Sequence, residues 1–156
     1  MRAMVEFITF LLAPIGYAGL TLTALKAARG AVPVILLRAV AVVILSHVVL
    51  VWVVRYEGQL SEATRHGYVG FALFHSTLVA IIAAVFAREH IARRLIVAAF
   101  GIVTVGALGA VFRYDVVSVY RVPVILCAVA GIAGLVRAYR LDRRSAALTA
   151  PLSRSE

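Results

Sequence analysis

Two histidines stand inside long apolar runs, an expensive place for a group that can carry charge. His47 lies in ILSHVVLVWVV and His75 in GFALFHSTLVAIIAAVF. An imidazole offers a nitrogen lone pair to a haem iron, to copper or to a hydrogen-bond donor, and an ionisable group within a membrane is a functional candidate by default. The polar loop from Arg55 to Gly67 joins the two runs. Read as antiparallel helices, they put His47 about seven residues before that loop and His75 about eight after it. At about 1.5 Å rise per residue, both rings then lie roughly 10–12 Å below one membrane surface.

Three uses of the pair compete. Axial ligation of a b-type haem needs imidazoles on facing helices and a flat apolar slot, whose walls Val43, Leu50, Phe71, Phe74 and Leu78 would supply. Copper is the second use, with the Cys127 thiolate joining His47 and His75 as a metal ligand. The third is a hydrogen-bonded structural pair supported by Ser46 and Ser76. Thr104, Tyr17 and Cys127 fall near the same level in the other runs. Such a polar layer must be satisfied internally or by a ligand, because unpaired polar groups in hydrocarbon cost several kcal/mol.

The elements that must hold these residues are five apolar stretches, at about 7–25, 34–54, 68–87, 95–112 and 119–138. The chain is 63% hydrophobic and 15% charged, with a mean hydropathy of +1.02. Soluble domains run at about 45–50% apolar and about 25% charged, so the expected class is an all-α polytopic membrane protein, a bundle of five transmembrane helices. Residues 1–140 form its one domain, and 141–156 are expected to be a flexible basic cytoplasmic tail. The first apolar run lacks a small-residue cleavage site and is expected to stay as a helix.

Lys26, Arg29 and Arg38, then Arg88, Arg93 and Arg94, then Arg137, Arg140, Arg143, Arg144 and Arg154 mark alternate connections as basic. The connections at Arg55–Arg65 and Arg113–Arg121 are leaner. By the positive-inside rule the N-terminus is outside, the C-terminus is cytoplasmic, and the histidine hairpin opens outward in the cell's inner (plasma) membrane. The net charge of +9 is then explained by anionic headgroups and orientation, and no nucleic-acid partner is expected. Arg38, within the first turns of the second span, either snorkels to the headgroups or binds a haem propionate or lipid phosphate.

Trp52, Tyr56, Tyr68, Tyr114 and Tyr120 form an outer aromatic belt. Small residues four apart around Gly101, Gly106, Gly109, Ala130 and Gly134 fit close helix packing, and Pro14 with Gly16 and Gly19 predicts a kink or close contact near Tyr17. His66 and His90 are read as solvated loop residues. A single cysteine excludes an intrachain disulfide and any CxxC motif. Mid-span carboxylates, which a proton-coupled transporter would need, are missing, as are a nucleophile elbow, HExxH and a phosphate loop. An enzyme is therefore the less favoured class.

The stretch from Phe71 to Tyr114, FALFHSTLVAIIAAVF, then REHIARR, then FGIVTVGALGAVFRY, resembles the central part of membrane proteins of the YozB or CtaM type. In that family an FH-x-x-LA-like span leads to a basic loop with a histidine, and then to a span with a TGV-like element and a terminal tyrosine. His75, His90, Thr104 to Gly106 and Tyr114 match these features, whereas His47 and Cys127 have no counterpart. The resemblance implies a role in maturation of a haem-copper terminal oxidase. Three functional readings follow. One is oxidase assembly or an accessory redox role with haem b or copper on His47 and His75. Another is a non-catalytic structural subunit bound to other membrane subunits, and the third a small solute transporter.

Overall fold

Valine and isoleucine, which favour strands in water, fill these spans. Hydrocarbon offers nothing to a backbone N–H or C=O, so the chain takes the one local form that serves its own. The computed structural model describes residues 2–65 and 68–149, all of whose regular structure is helical. Its helices are α1 (Arg2–Ala28), α2 (Val34–Leu50), the short α3 (Leu60–Ala63), α4 (Tyr68–Phe86), α5 (Glu89–Arg113) and α6 (Arg121–Thr149). Five segments are long and apolar enough to cross a membrane: Met4–Ala28, Val34–Arg55, Tyr68–Phe86, Glu89–Arg113 and Val117–Arg144. That is the make-up of a multi-pass membrane protein.

Two helices run beyond the apolar stretches into arginine-rich sequence. REHIARR, expected as a loop, forms the first turns of α5, and His90 is an exposed helical residue there. Glu89 in that first turn complements the partial positive charge of the helix start. At the other terminus α6 continues to Thr149, carrying Arg137, Arg140, Arg143 and Arg144 on helix where a flexible tail was expected from 141. The Arg143 guanidinium lies 5.0 Å from the Tyr139 ring centre. His66, Arg154 and the tail from 150 lie outside the described residues.

Helices α1 and α5 lie at the centre. Leu20, Thr23, Ala24 and Ala27 of α1 are fully enclosed, as are Ile96, Ala99 and Phe100 of α5. Around them α2 contributes Leu37, α4 Ile81, and α6 Val124 and Ala128. Small residues set how closely the outer helices approach. A Cβ at Gly131 of α6 would collide with the Phe100 ring, and one at Gly19 of α1 would come within 2.7 Å of Val40 on α2. The expected close contact near Tyr17 is thus made on α2.

Two arginines tie off helix ends. The Arg93 Nε–H donates to the Ala27 carbonyl (2.9 Å) and the Arg121 Nε–H to the Val111 carbonyl (2.8 Å), adding side-chain donors to carbonyls in the last turns of α1 and α5. Gly30, at φ +100°, makes the left-handed turn out of α1, and its N–H returns to the Ala27 carbonyl (3.1 Å).

Candidate functional site

The polar residues of the spans meet in three separate places. The first is buried between α1 and α5. Thr104 gives its hydroxyl hydrogen to the Phe100 carbonyl (2.6 Å), which can only accept, so the Tyr17 hydroxyl donates to Thr104 Oγ1 (2.8 Å). The Tyr17 ring stacks on Phe100 at 6.1 Å and 11°. Cys127 of α6 packs against this core, within electrostatic reach of Tyr17.

The second place joins α1 to α2. Pro14 has no N–H for the Phe10 carbonyl, which interrupts the ladder of α1. One residue earlier, the Thr9 carbonyl accepts a hydrogen bond from His47 Nδ1 at 2.8 Å. Since a carbonyl cannot donate, His47 carries its hydrogen on Nδ1 when neutral.

The third place joins α2 to α4. After Leu50 the helix opens into one wide turn, Val51–Arg55, in which the Tyr56 N–H reaches back five residues to the Val51 carbonyl (3.1 Å). The chain leaves it through two consecutive left-handed residues, Glu57 (φ 51°) and Gly58 (φ 74°). Within the turn, Trp52 donates its indole N–H to His75 Nε2 (3.0 Å). The hydrogen of His75 is therefore on Nδ1, which donates to the Phe71 carbonyl one turn earlier (2.8 Å). Phe71 stacks on the His75 ring at 3.9 Å, and Trp52 meets both rings edge-on. Tyr56, just beyond the span, also packs on Trp52, and burial pushes its phenol above the ordinary range.

This arrangement corrects the expectation that His47 and His75 share one slot. His75 is anchored to Trp52, five residues beyond His47 in the same span, which on a regular helix is about 7.5 Å further along and roughly 140° around its axis. Equal depth in two spans leaves their rotation open, and here α1 takes His47 while α4 meets Trp52. The intended haem walls diverge as well: Phe71 covers the His75 face itself, and Phe74 lies against Gly106 of α5, 3.5 Å from where a Cβ there would sit. Both nitrogens of His75 and Nδ1 of His47 are already engaged. Nor do His47, His75 and Cys127 form the copper trio, because among the described residues no three His, Cys, Asp or Glu side chains gather as a metal would require.

Of the remaining layer, Ser76 turns back to the Leu73 carbonyl (3.0 Å) at an exposed position. Sequence reasoning missed Trp52, assigned to the aromatic belt, and Thr9 and Phe71 as partners of the histidines. No local signal marked Thr9, since Pro14 frees the Phe10 carbonyl and leaves Ala13 to serve Thr9. No protein-family model matches the chain, and no curated protein or solved structure is significantly similar to it.

The buried threonines follow the same economy. Thr21, Thr23 and Thr77 each donate to the carbonyl four residues back, at 2.9, 2.8 and 2.9 Å. Among the described residues no buried side-chain nitrogen or oxygen lacks a partner. These three bonds lie within single helices, so they satisfy the hydroxyls without joining one helix to another.

Proposed function

We propose that this chain is a non-catalytic structural subunit of a larger membrane complex, multi-pass in the inner (plasma) membrane with its C-terminus cytoplasmic. The observation that carries this reading is the outward face of α5. Ala98, Gly101, Val105 and Gly109 lie along one exposed stripe, and nothing stands within 4 Å of a Cβ added at Gly101 or Gly109. A helix facing only lipid gains nothing from glycine, whereas small residues let a partner helix approach closely enough for dispersion and weak hydrogen bonds. The two span histidines, Tyr17 and Thr104 support the same reading, since their hydrogen bonds are made within the chain.

Its test is native electrophoresis of gently solubilised membranes. The wild-type chain should migrate in an assembly well above its own protein–detergent mass. Gly101→Leu with Gly109→Leu should release it while leaving its apparent Tm in detergent unchanged. Migration of the wild type as a lone subunit would defeat the proposal.

The competing proposal, oxidase assembly or an accessory redox role with haem b or copper on His47 and His75, draws on the YozB/CtaM resemblance. It requires Trp52 to release His75 Nε2 and the two rings to turn toward each other. Protein purified after expression with haem and copper supplied decides between them. A Soret band, or stoichiometric copper, lost in both His47→Ala and His75→Ala would replace the structural reading.

A further inference from the structure

At the basic end of the bundle, opposite the histidines, a cleft of about 270 Å³ opens between the α1–α2 connection and the junction of α4 and α5. Its walls are apolar, from Val32, Leu37, Ala84, Val85 and Ala92. Only two charged side chains line it, Arg38 from α2 and Glu89 from the first turn of α5. Among the described residues, no ion pair or hydrogen bond is recorded between them. Arg38 stands four residues inside its span, so its Cα sits about 6 Å deeper along the helix than that of Val34. There a cation gains most from an anionic oxygen.

We infer that this cleft binds the headgroup of an aminophospholipid of the phosphatidylethanolamine type, with its phosphate on Arg38, its ammonium on Glu89 and its chains running along the apolar walls into the bilayer. Charge complementarity carries the assignment. A guanidinium holds phosphate oxygens in a bidentate fork, and a carboxylate accepts hydrogen bonds from a primary ammonium, which a quaternary choline cannot donate. An anionic headgroup without an amine would leave Glu89 opposed by like charge. The volume is below that of typical drug-sized pockets, about 300–1,000 Å³, and so suits a headgroup whose acyl chains stay outside. Arg93 does not line the cleft, and its Nε–H donates to the Ala27 carbonyl.

The test uses the purified full-length chain, delipidated in mild detergent. Phosphatidylethanolamine, phosphatidylglycerol and phosphatidylcholine with identical acyl chains are added in equal amounts, and retained lipid is read by native mass spectrometry. One phosphatidylethanolamine should be retained about fivefold over phosphatidylcholine. Arg38→Ala should remove retention of all three lipids, and Arg38→Lys should restore part of it. Glu89→Gln should abolish the preference for phosphatidylethanolamine while raising retention of phosphatidylglycerol. Glu89 is exposed at a helix start, so this variant stands even where Arg38→Ala fails to fold, and Trp52 emission at the opposite end reports folding of each. Equal retention of the three lipids, preference for phosphatidylglycerol in the wild type, or an unchanged pattern in Glu89→Gln would overturn the inference.

Discussion

Between α1, α5 and α6, Phe100 fills the space above Gly131 and stacks on Tyr17, whose hydroxyl ends on Thr104. Between α2 and α4, in contrast, half-exposed rings of Trp52, Phe71 and His75 meet near a widened turn, joined by one indole-to-imidazole hydrogen bond. The seam is held by steric fit around a small residue, with its hydrogen bond as a supplement. In the hairpin the polar contact is itself the link. In a bilayer lipid tails are as apolar as leucine, so burial alone does not favour one helix neighbour over another. Shape and hydrogen bonding must make that choice, and the two regions weight them oppositely.

The sharpest way to break this contrast is at Gly131. Gly131→Ala drives a methyl group into the Phe100 ring, which is 1% exposed and cannot swing aside. Overpacking of this kind costs about 1–3 kcal/mol, so the apparent Tm in detergent should fall clearly. Gly134→Ala meets only the flexible end of Leu25 and should fall less. Equal effects would show that the seam is not specially fitted at Phe100.

Next in size is Tyr17→Phe, which keeps the stack and removes the donated hydrogen bond. Thr104 still serves the Phe100 carbonyl, so the loss should stay near the net value of one hydrogen bond, about 0.5–1.5 kcal/mol. Chemical denaturation of the detergent-solubilised protein measures it.

In the hairpin, a double-mutant cycle of Trp52→Phe and His75→Phe should return a coupling of about 0.6 kcal/mol, the average for interhelical hydrogen bonds in membranes. His75→Phe should also shift the emission of Trp52, the chain's single tryptophan. An unshifted spectrum with no coupling would mean that the indole bond does not join these helices. The smallest effect belongs to Gly101→Ala on the outward face of α5. With nothing near the new methyl group, stability should hold or rise by up to about 1 kcal/mol through helix propensity, as seen by thermal shift.

Legibility differed between fold and site for one reason. Moving a residue into hydrocarbon is a free energy that sums along the chain, so a run such as VPVILLRAVAVVILSHVVLVWVV announces its span without any knowledge of its neighbours. The partners of His47 and His75 depend on which way each helix is turned. An apolar run with no polar face carries little of that information, and depth was an unreliable guide to it. Trp52 illustrates the limit: as a residue near a span end it fits an aromatic belt, yet the wide turn from Val51 to Arg55 aims its N–H at His75.

The sequence by itself determined the five apolar spans, their approximate ends, and the alternation of basic and lean connections, because these follow from local composition and length. Only the tertiary structure decided the rotation of each helix. It sent His47 to Thr9 and His75 to Trp52, closed the α6 seam over Phe100, and opened a cleft that brings Arg38 and Glu89 together without pairing them. The physical reason is that rotation about a uniformly apolar axis costs nothing in hydrocarbon transfer, so the choice falls to side-chain shape and to hydrogen bonds between residues distant in sequence.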